Sequence, residues 1–195
     1  MISRILIILG VLTSSAFAQR EILEDPEFKK KDKYWFLRKG KEYSKLKEEY
    51  KKGEFRLNIS HTSESYYLAY LAEAPLKVGK SYKLELEYKG NGEGQIKANY
   101  RNHNNVFKKK KNKGNHRYSS LGLSVKLDPK AQWQKATMLF TATKNPVSEF
   151  DEFIIIHMGK YQGEVFLRNF SLKEAKDAPS PLPSNGKLVS NVEVK

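Results

Sequence analysis

Apolar and polar residues alternate at period two through most of the chain beyond residue 20, the signature of half-buried β-strands. From Gly53 to Ser60 the alternation sets Phe55, Leu57 and Ile59 against Arg56 and Asn58. From Ser81 to Tyr88 it puts Tyr82, Leu84, Leu86 and Tyr88 on one face and charges on the other. Gln95, Lys97, Asn99 and Arg101 form the polar face of a third run, and Ala136, Met138 and Phe140 the apolar face of a fourth. Phe153 to Met158 is apolar almost throughout, which predicts a strand buried on both faces or lining a cleft. Val165 to Leu172 closes the set. Turn dipeptides at Gly79-Lys80, Asn91-Gly92, Asp128-Pro129, Asn145-Pro146 and Gln162-Gly163 separate these runs. Short strands, regular turns and almost no helical period predict a single all-β domain, an antiparallel sandwich or jelly roll. Lys41 to Lys52 reads equally as a short helix or as an exposed strand carrying Tyr43, Leu46 and Tyr50.

Three segments break the rhythm. Residues 1–18 read as a secretory signal: Arg4, an apolar run from Ile5 to Leu12, and Ala16-Phe17-Ala18 before Gln19. That run is shorter than the roughly 20 residues a membrane span needs, and no later stretch approaches that length. The expectation is an exported domain, periplasmic or extracellular, over residues 19–175. Asn102 to Ser120 is a long basic connection with Lys108 to Lys111, Lys113, His116 and Arg117. Residues 176–195 contain Pro179, Pro181 and Pro183 among serines, the composition of a flexible tail.

The formal charge is +14, and Arg4 is the only charged residue of the signal. Nine lysines and arginines lie unopposed between Glu93 and Asp128. Such an excess favours anionic partners through long-range attraction. Outside the cytosol these are uronate or sulfated polysaccharides, phosphate-bearing envelope polymers or nucleic acid. No nucleic-acid recognition motif is present, which argues against the last. The absence of cysteine excludes disulfides, thiolate metal sites and a cysteine nucleophile.

The order of motifs resembles that of jelly-roll carbohydrate-binding modules of families 4, 9 and 22, which bind cellulose and xylan. Ile22 to Lys29 followed by Trp35 matches their opening strand, Phe-Glu pair and tryptophan. Tyr67 to Leu71 and Leu76 to Leu84 match an aromatic strand and a Gly-Lys-x-Tyr turn. Trp133 to Thr143 and Gly163 to Leu172 match the two strands that end the module. The resemblance covers about residues 21 to 175 and implies a groove on one sheet, where aromatic rings stack on sugar faces and planar polar groups meet hydroxyls. It implies Tyr67 as the stacking aromatic, with Tyr70 packed inside because an odd spacing along an unbroken strand changes face. Trp35 and Trp133 are expected in the core. Many members of these families hold a structural calcium, but Lys29 and Asn169 stand where acidic ligands belong, so no cofactor is assigned.

Candidate ligand-binding residues are therefore Tyr67, Arg56, Asn58, Gln95, Lys97, Asn99, Arg101 and His157. Lys97 and Arg101 exceed what a neutral glycan needs and point to an acidic one, since arginine grips carboxylate or sulfate in a fork. The reading is a non-catalytic domain that recognises a polysaccharide. Two alternatives remain open. One is an envelope assembly domain that holds a protein or an anionic surface polymer. The other is a small jelly-roll polysaccharide lyase, although Gln95-Ile96-Lys97 resembles the lyases' Gln-Ile-His strand only distantly and no Arg-x-Glu-x-Arg or Tyr-x-Lys-x-Gly pattern occurs.

Overall fold

The computed structural model describes residues 19–104 and 118–194, so the signal segment and the lysine run at 108–113 lie outside the described residues. Twelve strands build two sheets: β1 (Trp35–Lys39), β2 (Glu49–Lys51), β3 (Glu54–Ile59), β4 (Leu68–Glu73), β5 (Ser81–Gly90), β6 (Glu93–Gly94), β7 (Ile96–His103), β8 (Ser120–Leu127), β9 (Gln134–Thr141), β10 (Asp151–His157), β11 (Tyr161–Glu174) and β12 (Lys187–Glu193). One sheet has the order β1-β4-β10-β7-β8. The other runs β12-β9-β5-β11-β3-β2, with β6 paired to β11. Every pairing is antiparallel. The all-β sandwich predicted from the alternation is the fold observed.

The inward faces of the two sheets make one core. Tyr82, Leu84, Leu86 and Tyr88 of β5 pack there with Ala136, Met138 and Phe140 of β9, the residues the period-two reading selects. At one end the core is aromatic. Trp35 stacks on Tyr70 at 4.9 Å between ring centres, Tyr70 stacks on Phe55 at 4.0 Å, and Phe28 and Phe170 close edge-on around Trp35. The stack joins β1 and β4 of one sheet to β3 of the other, and each aromatic so enclosed removes about 150–250 Å² from water. Burial pushes the Tyr70 hydroxyl far above its ordinary range, and the nearby Tyr50 hydroxyl up to about 12.

One ambiguity is resolved and three local expectations are corrected. The ambiguous segment is a single 3-10 turn, Lys41–Tyr43, followed by the short strand β2. Tyr67 does not belong to β4. It ends a 3-10 turn, Ser65–Tyr67, so the alternation argument that fits Tyr70 does not reach it. Trp133 is half-buried on the outer face of the larger sheet, with Arg168 at 3.9 Å and Lys89 at 4.8 Å over its ring. The tail does not stay free either: Lys187–Glu193 returns as β12 and extends the sheet from the edge of β9. Leu188, Val189 and Val192 stay exposed, so the attachment is made by backbone hydrogen bonds and leaves no apolar signal in the sequence.

Candidate functional site

The smaller sheet has an unusual second face. On most strands the outward residues are polar, but β10 and β4 turn Phe153, Ile155, Leu71 and Ala69 outward, and these four form a cluster separate from the core. Phe36 of β1 packs against them. This explains the unbroken apolar run in β10: Ile154 and Ile156 face the sandwich interior while Phe153 and Ile155 floor the opposite face.

Register lays polar side chains in rows across that floor. One row reads Arg38, Ala69, His157, Lys97, Lys126 across β1, β4, β10, β7 and β8. The next reads Phe36, Leu71, Ile155, Asn99, Ser124. Arg101 lies opposite Phe153, and His103 opposite Asp151. Arg38, Tyr66, Arg101, His103, Tyr118 and His157 converge on a cavity of about 320 Å³. Tyr118 stacks on the His103 ring at 4.9 Å and on Phe150 at 5.3 Å. The guanidinium carbons of Arg38 and Arg101 lie 6.0 and 5.6 Å from the centre of the Tyr118 ring.

Hydrogen bonds assign the His103 tautomer and place a proton on His157 Nδ1. Arg38 donates from Nη1 to His103 Nε2 at 2.6 Å, so His103 carries its proton on Nδ1 and donates it to the Asn104 carbonyl at 2.8 Å. His157 donates from Nδ1 to the Ser65 carbonyl at 3.2 Å. The surroundings of both rings favour the neutral form. Burial foremost, with the Arg38 and Arg101 charges adding to it, holds His103 down at about 4. Burial and then Arg101 hold His157 down at about 3. Burial and the Arg38 charge lower Arg101, and burial with the Arg101 and Lys126 charges lowers Lys97.

The two sheet faces treat charge differently. On the larger sheet Arg56 pairs with Glu164 and Glu49, Arg168 with Glu87 and Glu54, and Glu85 with Lys83 and Lys135. On the smaller sheet, among the described residues, no carboxylate pairs with Arg38, Arg101, Lys97 or Lys126. Positive charge thus gathers beside an apolar floor, while the acids of the same face, Asp151 and Glu73, stand opposite His103 and Phe153.

Of the residues expected from sequence, Lys97, Asn99, Arg101 and His157 share this face. Arg56 and Asn58 do not: they sit on the outer face of the larger sheet, where Arg56 is paired and Asn58 lies opposite Glu164. Period two gave their strand face correctly but could not say which sheet the strand joins. Gln95 precedes β7 at the end away from the cavity and donates to Asp128 at 2.8 Å. Tyr67 is absent from the cavity lining, and its neighbour Tyr66, 44 % exposed and edge-on to it at 4.5 Å, takes that place. Sequence reading also passed over Arg38, His103 and Tyr118. The Trp35-Phe36-Leu37-Arg38 alternation held a signal for Arg38, since a buried Trp35 puts Phe36 and Arg38 outward. His103 and Tyr118 were hidden because they flank the long basic connection.

The positions matched to a calcium site carry no carboxylate. Lys29 places its ammonium 2.6 Å from Glu27, and Asp25 nearby accepts backbone N–H groups from Lys29 and Lys30. Asn169 sits at a bulge in β11 with a left-handed backbone. These residues do not fit a calcium ion, which needs several oxygen ligands free to turn toward it.

No protein-family model matches the chain, and no curated protein sequence does. Solved structures do. The second N-terminal cellulose-binding domain of Cellulomonas fimi β-1,4-glucanase C superposes with a TM-score of 0.57 at 14% identity, covering 83% of this chain and 99% of that one. A CBM4 carbohydrate-binding module gives 0.56 at 14% identity over 72% and 86%. The CBM22-1 xylan-binding domain of Xyn10C from Paenibacillus barcinonensis gives 0.50 at 10% identity over 83% and 98%. The fold is therefore the jelly roll of carbohydrate-binding modules, as the order of sequence motifs implies for families 4 and 22.

Proposed function

We propose that the chain is an exported, non-catalytic carbohydrate-binding domain that takes an acidic polysaccharide across the outer face of the smaller sheet. The observation that carries this reading is the pair of guanidiniums, Arg38 and Arg101, set beside an apolar floor and paired with no carboxylate among the described residues. An apolar floor with exposed tyrosines suits the C–H faces of sugar rings, and a guanidinium fork suits a carboxylate or sulfate. Two neighbouring positive charges in a partly dry cavity repel each other, and an anion relieves that repulsion. The comparisons support the reading in two ways: the fold is shared, and the glucanase and xylan-binding domains are described as cellulose- and xylan-binding.

Affinity electrophoresis tests the proposal with neutral glucan and xylan, polygalacturonate, alginate and a sulfated galactan in the gel. The protein is expected to be retarded by at least one acidic polymer, and less so as salt rises through 0.5 M. Retardation by neutral polymers alone, or by none, overturns it.

A further inference from the structure

His157 has a feature that binding an anion alone does not explain. Its side chain is 6 % exposed at the end of β10, and its Nδ1 proton is committed to the Ser65 carbonyl. Nε2 is then a bare lone pair, and it is buried without a hydrogen-bond partner. Arg101 Nε–H is likewise buried and without a partner. Both residues line the same cavity, so one orphan acceptor and one orphan donor belong to its wall. Buried polar atoms are rarely left unpaired, and such atoms at a cavity mark where a ligand's polar groups belong.

The two orphans ask for different things. A carboxylate or sulfate has acceptors only: it satisfies Arg101 but turns negative oxygen toward the His157 lone pair. That conflict disappears only if His157 takes a proton. The Ser65 carbonyl favours protonation, but burial and the neighbouring cations outweigh it. Arg101, Lys97 and His103 approach from β7 and Arg38 from β1, while Ala69 of β4 contributes only a methyl. Among the described residues that line the cavity none is acidic. A hydroxyl resolves the conflict with no change of charge, because its O–H donates to Nε2 while its oxygen accepts from Arg101 Nε–H.

We propose that His157 and Arg101 together read one unsubstituted sugar hydroxyl, while Arg38 and the terminal nitrogens of Arg101 hold the anionic group. The site then selects an acidic sugar whose hydroxyl at this place is free, and rejects the same sugar acylated or methylated there. This rests on the acidic-polysaccharide reading and gives it a specificity. A pocket built to hydrogen-bond a hydroxyl discriminates strongly against an analogue lacking it, because the buried partners are left unpaired.

The test uses the acidic oligomer held most tightly among galacturonate, mannuronate and sulfated galactan oligomers, together with its O-acetylated form. Calorimetry at pH 7 compares the wild type with His157→Phe, which keeps a ring of similar size and removes the lone pair. The wild type is expected to prefer the free-hydroxyl oligomer by about tenfold, and His157→Phe to bind both forms alike. Equal discrimination by both proteins overturns the proposal. A second measurement does not depend on the variant folding. In the histidine-15N-labelled wild type, the oligomer should shift the Nε2 resonance of His157 as an acceptor while the Nδ1 proton is retained. Calorimetry at pH 6 in buffers of different ionisation enthalpy should then show no proton uptake. Uptake of about one proton per site means an imidazolium on the anion and overturns the proposal. Failure of the wild type to bind any acidic oligomer overturns the underlying reading, and this one with it.

Discussion

Arg101 and Arg168 are both half-buried arginines on outer sheet faces, yet their surroundings assign them opposite roles. Arg168 bonds Glu87 at 2.7 Å and Glu54 at 3.1 Å, so Arg168→Gln leaves two carboxylates without their cation. That variant should lose about 1 kcal/mol of stability and keep its glycan affinity, as thermal melts and calorimetry would show. Arg101→Gln removes a cation that pairs with no carboxylate among the described residues. It should leave the melting temperature equal or higher while lowering affinity for an acidic glycan by about tenfold or more. A fall in stability without a fall in affinity would place Arg101 with the structural arginines. The histidines set a pH response. His103 and His157 titrate at about 4 and about 3 in the fold, against an ordinary 6.5. Between those values the unfolded chain binds more protons, so folded stability is whole above about pH 6.5 and falls as pH drops toward 4. Each neutral histidine contributes about 1.4 kcal/mol per pH unit to that slope. Melts from pH 7 to 4.5 should show the decline, and His103→Gln should make it shallower. A flat profile would mean that these rings are not held neutral.

At the scale of elements, the strands that carry the core were legible because a buried face writes itself into every second residue, as in β5 and β9. The apolar run in β10 also read correctly, since a strand with two apolar faces needs both a core and a groove floor. What stayed hidden depends on pairing rather than burial. Alternation marks Arg56 and Asn58 as outward but cannot choose a sheet, and β12 joins by its backbone alone. Two predictions follow from that pairing. Ending the chain before Lys187 uncovers the edge of β9, whose open N–H and C=O groups invite self-association. The shortened protein should melt lower and form dimers or larger species by light scattering, whereas an unchanged monomer would show that β12 is dispensable. Gly122 lies in the bulge where β8 slips register against β7, with φ of 121°. A Cβ there would stand 2.0 Å from the Thr141 carbonyl oxygen. Gly122→Ala should therefore cost more than about 1 kcal/mol in chemical denaturation, through strain at a backbone that only glycine adopts readily.

For the whole molecule, the two outer faces of the sandwich take different tasks in the proposed function. The larger sheet balances its arginines with glutamates, while on the smaller sheet Arg38, Arg101, Lys97 and Lys126 have no carboxylate partner among the described residues. The +14 formal charge of the sequence is thus not spread evenly in effect, and the share that matters sits on one face. Sequence alone located part of that face, through Lys97, Asn99, Arg101 and His157 on neighbouring strands. It could not supply Arg38, Tyr66 or Tyr118, which reach the cavity only once β1, the Ser65–Tyr67 turn and the start of β8 are brought together. No helix among the described residues is long and apolar enough to cross a membrane, and the fold matches modules that bind cellulose and xylan in other proteins. The central claim is that Arg38 and Arg101 make this face a receptor for acidic glycan. It is tested most directly by titrating galacturonate, mannuronate and sulfated galactan oligomers into the wild type and into the double variant Arg38→Gln/Arg101→Gln at low salt. The account predicts binding of at least one oligomer by the wild type, and a loss of about a hundredfold in the double variant with folding intact. Equal affinity in the two proteins would contradict it.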